Sequence, residues 1–218
     1  MFDISHAIVR IAIMAVPFLL AVTLHEVAHG AAAYWYGDPT ARNAGRLTLN
    51  PIRHLDPIGT LVFVLTAMTS GFIIGWAKPV PINPRYFRNV RQGIIVTSAA
   101  GAAANFVLAG LMYAGFALML NYPPAASEMA SFFYPPLVNI LRFGVLINVI
   151  LGVFNLLPIP PLDGSKILAE LLPHNVAYKY MQLERYGFII LLLLIMSGGL
   201  RLVFAPVLSL IAPLLHLI

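Results

Sequence analysis

Five apolar runs, at roughly residues 8 to 36, 58 to 76, 93 to 121, 137 to 157 and 186 to 217, occupy most of the chain and decide which solvent it can fold in. A helix needs about 20 consecutive apolar residues to cross the hydrocarbon core of a bilayer, and each run is close to that length or beyond it. Of the 218 residues 60% are hydrophobic and 10% are charged. A soluble domain carries about a quarter charged residues, so this chain has too few to cover a water-facing surface. The same figures exclude intrinsic disorder, and the absence of cysteine excludes a disulfide scaffold or a Cys-ligated zinc or iron-sulfur module. The net charge of +5 is not gathered into a basic tail or an aromatic-basic face, so no nucleic-acid partner is expected and the excess reads as membrane topology. The expectation is an all-α polytopic membrane protein with about four to six membrane segments, folded as a single membrane-embedded domain over residues 1–218. The first run is not a cleaved signal, because its leading residues include Asp3 and His6 with only Arg10 as a positive charge. Ser197, Gly198, Gly199, Arg201, Pro206 and Pro213 interrupt the last run, which reads as one kinked helix or a short hairpin pair.

Ionisable residues within such runs are the most informative, since each costs several kcal/mol in hydrocarbon unless it faces a partner, a cavity or a metal. The first run holds three together, His25, Glu26 and His29, flanked by Ala21, Ala31, Ala32 and Ala33. Histidines at i and i+4 share one helix face, so both imidazoles can reach a single zinc ion. Glu26 is offset around the helix, out of the metal's own shell and beside the water the metal would activate, where a carboxylate can take a proton. The small flanking residues leave room for a neighbouring helix or a substrate. The bland alternative is a polar cluster that glues helices together, but glue seldom needs three ionisable groups so close in hydrocarbon.

A catalytic zinc site needs a third protein ligand and an open position. Most of the eight acidic residues lie in the terminus, the first loop or polar connections, whereas Asp163 follows the fourth run in Asn155-Leu-Leu-Pro-Ile-Pro-Pro-Leu-Asp163-Gly164. Three prolines break the helix there, and broken helix at membrane depth is tolerated where it lines a cavity. Asp163 as a ligand and Asp163 as a mere N-cap of a helix from Gly164 to Leu172 are both open on local grounds. His54, in Arg53-His54-Leu55-Asp56-Pro57, reads most simply as a polar loop residue, with gating or metal entry as the sharper alternative.

His25-Glu26-x-x-His29 in one membrane helix and Asn155-x-x-Pro158-x-x-x-x-Asp163-Gly164 after a later one resemble the two motifs of the site-2 protease family of intramembrane zinc metalloproteases, peptidase family M50. Gly101-Ala102-Ala103-Ala104-Asn105 resembles that family's Gly-x-x-x-Asn element, although Ala102 stands where many members have proline. The stretch from Gly75 to Pro84 resembles one in its small bacterial members, and the PDZ module of some relatives is absent. The resemblance implies one zinc ion per chain held by His25, His29 and Asp163, with Glu26 as catalytic base and Asn155 and Asn105 at the substrate. It implies hydrolysis of peptide bonds within or near the transmembrane segments of other membrane proteins, in contact with membrane lipid, in a multi-pass protein of a prokaryotic inner membrane. A non-proteolytic zinc-binding membrane protein, such as a metal carrier or a pseudoprotease, could use the same His-His-Asp set but would have little need of Glu26. A di-iron oxidase would need a second histidine box, which the remaining His6, His54, His174 and His216 do not form.

Two expectations concern arrangement. An extended substrate could pair with an exposed strand edge, for which Lys78 to Pro84 is the candidate, an ordinary surface loop being the plainer alternative. Lys78, Arg85, Arg88 and Arg91 mark the connection 77–92 as cytoplasmic, while the connection 122–136 has no Lys or Arg. Arg42, Arg46 and Arg53 place the first loop on the same side, so the run 58–76 is expected to re-enter rather than cross, turning near Thr66, Thr69, Ser70 and Gly71. The active site would then face the cytoplasm.

Overall fold

The computed structural model describes residues 4–69 and 75–215, so Ser70, Gly71 and His216 lie outside the described residues. The described chain is helical, with no named strand. It forms two compact units, residues 1–152 and 153–218.

In the first unit α1 (Ile4–Trp35) is followed by the short α2 (Thr40–Asn43), then α3 (Pro57–Thr69), α4 (Val90–Asn121) and most of α5 (Glu128–Asn155). α1 packs along α4. The buried face of α4 repeats every four residues through Gly93, Thr97, Gly101, Asn105 and Ala109, small or polar groups that let the two backbones approach. Phe18 and Val22 of α1, Phe63 of α3 and Ile147 of α5 form the apolar core, with Phe18 and Phe63 stacked at a centroid distance of 4.5 Å. Such a ring pair contributes about 0.5–1.5 kcal/mol beyond its buried area. Helix starts follow capping chemistry: Asn89 accepts from the Gln92 N–H before α4, and the Asp56 carboxylate accepts from the Gly59 N–H at the start of α3.

Outward faces of the long helices carry apolar side chains such as Val107, Leu111, Leu118, Phe132 and Phe133, all more than half exposed. Water is a poor solvent for such faces and lipid a good one. Among the described residues three helices are long and apolar enough to cross a membrane, spanning residues 13–35, 90–121 and 128–155. The described part of α3 has 13 residues. Its flanks meet: Leu55 and Ala77 form an antiparallel bridge, and the Lys78 N–H donates to the His54 carbonyl at 2.8 Å. The fourth apolar run begins earlier than its sequence suggests, because α5 starts at Glu128 and carries Pro135 and Pro136 inside it.

In the second unit the chain turns through residues 156–162 and re-forms as α6 (Asp163–Leu171), α7 (His174–Met181), α8 (Gly187–Met196) and α9 (Gly199–Ile211). The turn is tied down by the Tyr180 hydroxyl, which donates to the Pro158 carbonyl at 2.8 Å, and by the close approach of α8 at Gly187. A side chain at Gly164 would collide with the carbonyls of Leu156 and Leu157, so glycine is required where α6 starts against the turn. Between α8 and α9 the axis bends by 66° at Gly198, whose φ is 73°; the helical stretch 174–196 with α9 is a fourth span if that bent pair counts as one.

Candidate metal centre

His25 and His29 project from α1 toward α4, with 8% and 7% of their surfaces exposed. Their Nε2 atoms stand 2.9 Å apart, the outcome expected of an i, i+4 pair on one helix face. What fixes them is the other nitrogen of each ring. His29 Nδ1 donates to the Thr97 carbonyl at 2.6 Å, and since a carbonyl can only accept, the proton of a neutral His29 lies on Nδ1. His25 Nδ1 lies 2.6 Å from Asn105 Oδ1. Asn105 Nδ2 donates to the Ala21 carbonyl at 3.2 Å and to Asn148 Oδ1 at 2.9 Å, so the oxygen of the amide must be the atom turned to His25. In the neutral state both rings therefore carry an unprotonated Nε2, and the two nitrogens face one another at 2.9 Å, an arrangement that suits a shared cation. A zinc ion bound tetrahedrally by two imidazoles at about 2.0–2.1 Å holds their nitrogens about 3.3 Å apart, within a few tenths of the observed spacing.

Gly101 supplies a second test of fit. A Cβ there would stand 2.5 Å from His29 Nε2 and 2.6 Å from His25 Nε2, so α4 leaves this place open only because residue 101 has no side chain. The nitrogen pair, its fixed tautomers and the open place beside it suit a divalent cation that accepts imidazole, and zinc is such an ion.

Glu26 is half-buried, and its Oε2 accepts from the Val80 N–H at 2.7 Å. Val80 belongs to the extended stretch after the Leu55–Ala77 bridge, where Arg46 Nη2 donates to the Lys78 carbonyl at 2.6 Å and the Asn83 N–H donates to Asp38 Oδ2 at 2.6 Å. Gly30 makes the approach possible, since its missing side chain is replaced by Leu47, Ala41 and Val80. The N–H groups of Lys78, Val80 and Asn83 all point into the protein, and Pro79 and Pro81 have none to offer, so the stretch is a clamped support for Glu26 before it is any edge.

The remaining site residues fall as follows. Asn105 is fully buried and its amide is engaged by His25, Ala21 and Asn148; this geometry orients His25, whereas the family resemblance implied a place at the substrate. Asp163, in the second unit, is the first residue of α6 and 6% exposed; Leu162 holds the cap position, so the carboxylate does not serve as an N-cap, and Lys166 Nζ lies 3.0 Å from its Oδ1. Asn155 ends α5 and is half-buried. His54 is buried to 1% exposure and its Nε2 donates to the Thr48 carbonyl, which makes it a fixture of the first loop. Sequence reasoning passed over Asn148, Thr97 and Val80. Asn148 had a signal, an amide in the middle of an apolar run that must find a partner, whereas Thr97 and Val80 act through their backbones and had none.

Comparison with known proteins places the chain in a family. The family model described as Peptidase family M50 matches residues 125–197. The chain is 40% identical over 184 residues to the protein of Bacillus subtilis strain 168 named "Putative zinc metalloprotease YwhC", covering 84% of this chain and 80% of that one. It is 30% identical over 184 residues to "Putative zinc metalloprotease Rip2" of Mycolicibacterium smegmatis, covering 84% of this chain and 66% of the relative, and 27% identical over 188 residues to the Rip2 of Mycobacterium tuberculosis H37Rv, with the same coverage. No solved structure matches the chain. The chain belongs to peptidase family M50, the site-2 protease family of metallopeptidases.

Proposed function

We propose that this protein is an intramembrane zinc metalloprotease that hydrolyses peptide bonds within or near transmembrane segments of other membrane proteins. The observation that carries the reading is the pairing of two imidazoles, their Nε2 atoms face to face at 2.9 Å, with a carboxylate one residue away on the same helix and held from behind by a backbone N–H. A metal carrier needs the imidazoles but not the held carboxylate. His25 and His29 supply two ligands, and Asp163, a buried carboxylate in the family's Asp-Gly motif that does not cap its helix, supplies the third.

When bound, one zinc ion per chain supplies Lewis acidity, which polarises a scissile carbonyl and acidifies water. The Val80 N–H holds Glu26 Oε2, which leaves Oε1 to take a proton from the attacking water. As the C–N bond breaks, Glu26 returns that proton to the amide nitrogen, so the carboxylate ends as it began. In this reading Asn155, of the family's Asn-x-x-Pro motif, holds the substrate backbone, and His25 and His29 keep the tautomer in which Nε2 is unprotonated. An intact transmembrane helix shields its peptide bonds by their own hydrogen bonds, so the substrate must unwind locally before attack, in a site open to water.

The placement we assign is a multi-pass protein of a prokaryotic inner membrane, in contact with lipid, whose active site faces the cytoplasm. The segment 58–76 re-enters on that side. Support comes from the Leu55–Ala77 bridge, which joins the two flanks.

Reconstituted protein and a transmembrane peptide test the reaction. Glu26→Gln keeps the shape of the side chain but cannot accept the proton, so cleavage falls by at least about 100-fold while zinc content stays at that of the wild type. Equal cleavage by the two proteins refutes the mechanism, and a wild type that binds zinc yet cleaves no membrane peptide favours the carrier.

A further inference from the structure

The metal centre is wired to a second amide that neither its motifs nor its mechanism uses. Asn148 of α5 has no exposed surface, and every polar atom of its side chain is engaged: Oδ1 accepts from Asn105 Nδ2, while Nδ2 donates to the Gly144 carbonyl at 2.8 Å and contacts Met112 Sδ at 3.8 Å. The orientation of a buried amide is ordinarily ambiguous by 180°. Here it is not, because the Gly144 carbonyl can only accept; it fixes Nδ2 of Asn148 on its side and so turns Oδ1 toward Asn105. Asn105, holding acceptors at both hydrogens of Nδ2, must then turn Oδ1 toward His25. His25 in turn must carry its proton on Nδ1 and present a bare Nε2 to the metal.

We propose that Asn148 is a positioning residue of the metal centre: through Asn105 it sets the tautomer and ring orientation of His25, so that a backbone carbonyl of α5 is read out as a metal-ready nitrogen on α1. The chain Gly144 carbonyl, Asn148, Asn105, His25 runs in one direction only, and flipping either amide sets acceptor against acceptor at one end. The Ala21 carbonyl helps to hold Asn105 but lies 3.2 Å away, the longest bond in the set, so Asn148 carries the larger share. The proposal rests on the metal-centre reading above.

Zinc affinity of the purified full-length protein, measured by chelator competition, tests it without reference to cleavage. Asn148→Leu, which keeps the approximate volume and removes the acceptor, should weaken zinc binding roughly 10-fold, and Asn105→Leu more, toward the upper end of the 10- to 100-fold range seen for outer-shell partners. Because the two act in series, the double variant should bind zinc no more weakly than Asn105→Leu alone. A purely structural Asn148 would lower thermal stability and leave affinity unchanged; that result, or two effects that multiply, overturns the proposal. Should Asn148→Leu not fold, the wild type suffices: nitrogen-15 spectra of its metal-free form, about two pH units above the imidazole pKa, should show His25 protonated on Nδ1. The opposite tautomer overturns the relay. A wild type that binds no zinc defeats the metal-centre reading instead, and the spectra still decide the relay.

Discussion

At the scale of single residues, glycine is as much a part of the metal centre as histidine. A Cβ added at Gly101 would stand 2.5–2.6 Å from atoms of both imidazoles, closer than carbon and nitrogen ever pack without bonding, so either α4 must retreat or the rings must rotate out of register. Gly101→Ala should therefore lower zinc affinity by at least about 10-fold, comparable to loss of an outer-shell partner. Metal titration of the purified variant checks this, and affinity equal to the wild type would show that the place beside α4 is not the one the ion uses. The sequence pointed to Gly101 and Asn105 as a pair four residues apart, and to His25, Glu26 and His29, because helix periodicity alone puts such spacings on one face. It could not say that Asn105 faces His25. That depends on which helix lies opposite, and the partners Ala21 and Asn148 are far away along the chain.

One scale up, the element that most affects the chemistry has no regular secondary structure. The extended residues 77–83 are held by acceptors and donors from four separate places, the His54 carbonyl, the Arg46 guanidinium, Glu26 and Asp38, and two prolines keep the stretch from folding back on itself. Asp38 is the anchor at its far end: fully buried, it accepts from the Asn83 N–H, the Thr40 N–H and the Thr40 hydroxyl. Asp38→Ala leaves two N–H groups without their acceptor, at about 1–3 kcal/mol for each that stays buried. The expected result is faster hydrogen exchange at the Val80 and Asn83 amides and weaker cleavage, with zinc still bound. Unchanged exchange at Val80 would mean that the stretch holds Glu26 without help from Asp38. Proline-rich composition marked this segment in the sequence, yet its inward hydrogen bonds were illegible because none of the acceptors is a sequence neighbour. The fourth apolar run starts near residue 137, but α5 starts at Glu128 and runs through Pro135 and Pro136. Proline is tolerated within membrane helices where neighbouring groups satisfy the freed carbonyls.

For the whole molecule the open question is on which side of the membrane each connection lies, and helix lengths with charge placement make a definite prediction. α4 has 32 residues, or about 48 Å at 1.5 Å per residue, more than the about 30 Å of hydrocarbon. The described part of α3 has 13 residues, or about 20 Å. Lys78, Arg85 and Arg88 precede α4 and Arg91 lies in its first turn, whereas its far end and the loop into α5 carry no Lys or Arg, so α4 is expected to run outward from the cytoplasm. The bridge between Leu55 and Ala77 holds the two flanks of α3 together, which requires residues 53 and 88 to share one side if α3 only dips into the bilayer. The chain has no cysteine, so single substitutions report cleanly. Arg53, Arg88 and Ala126 are exposed and suit labelling, while Arg46 is too buried to serve. With a membrane-impermeant thiol reagent, Arg53→Cys and Arg88→Cys should react from the cytoplasmic face and Ala126→Cys from the opposite one. If Arg53→Cys and Arg88→Cys react from opposite faces, the segment 57–76 spans the membrane, and the metal helix and the basic connection before α4 can no longer be placed by the same charge rule.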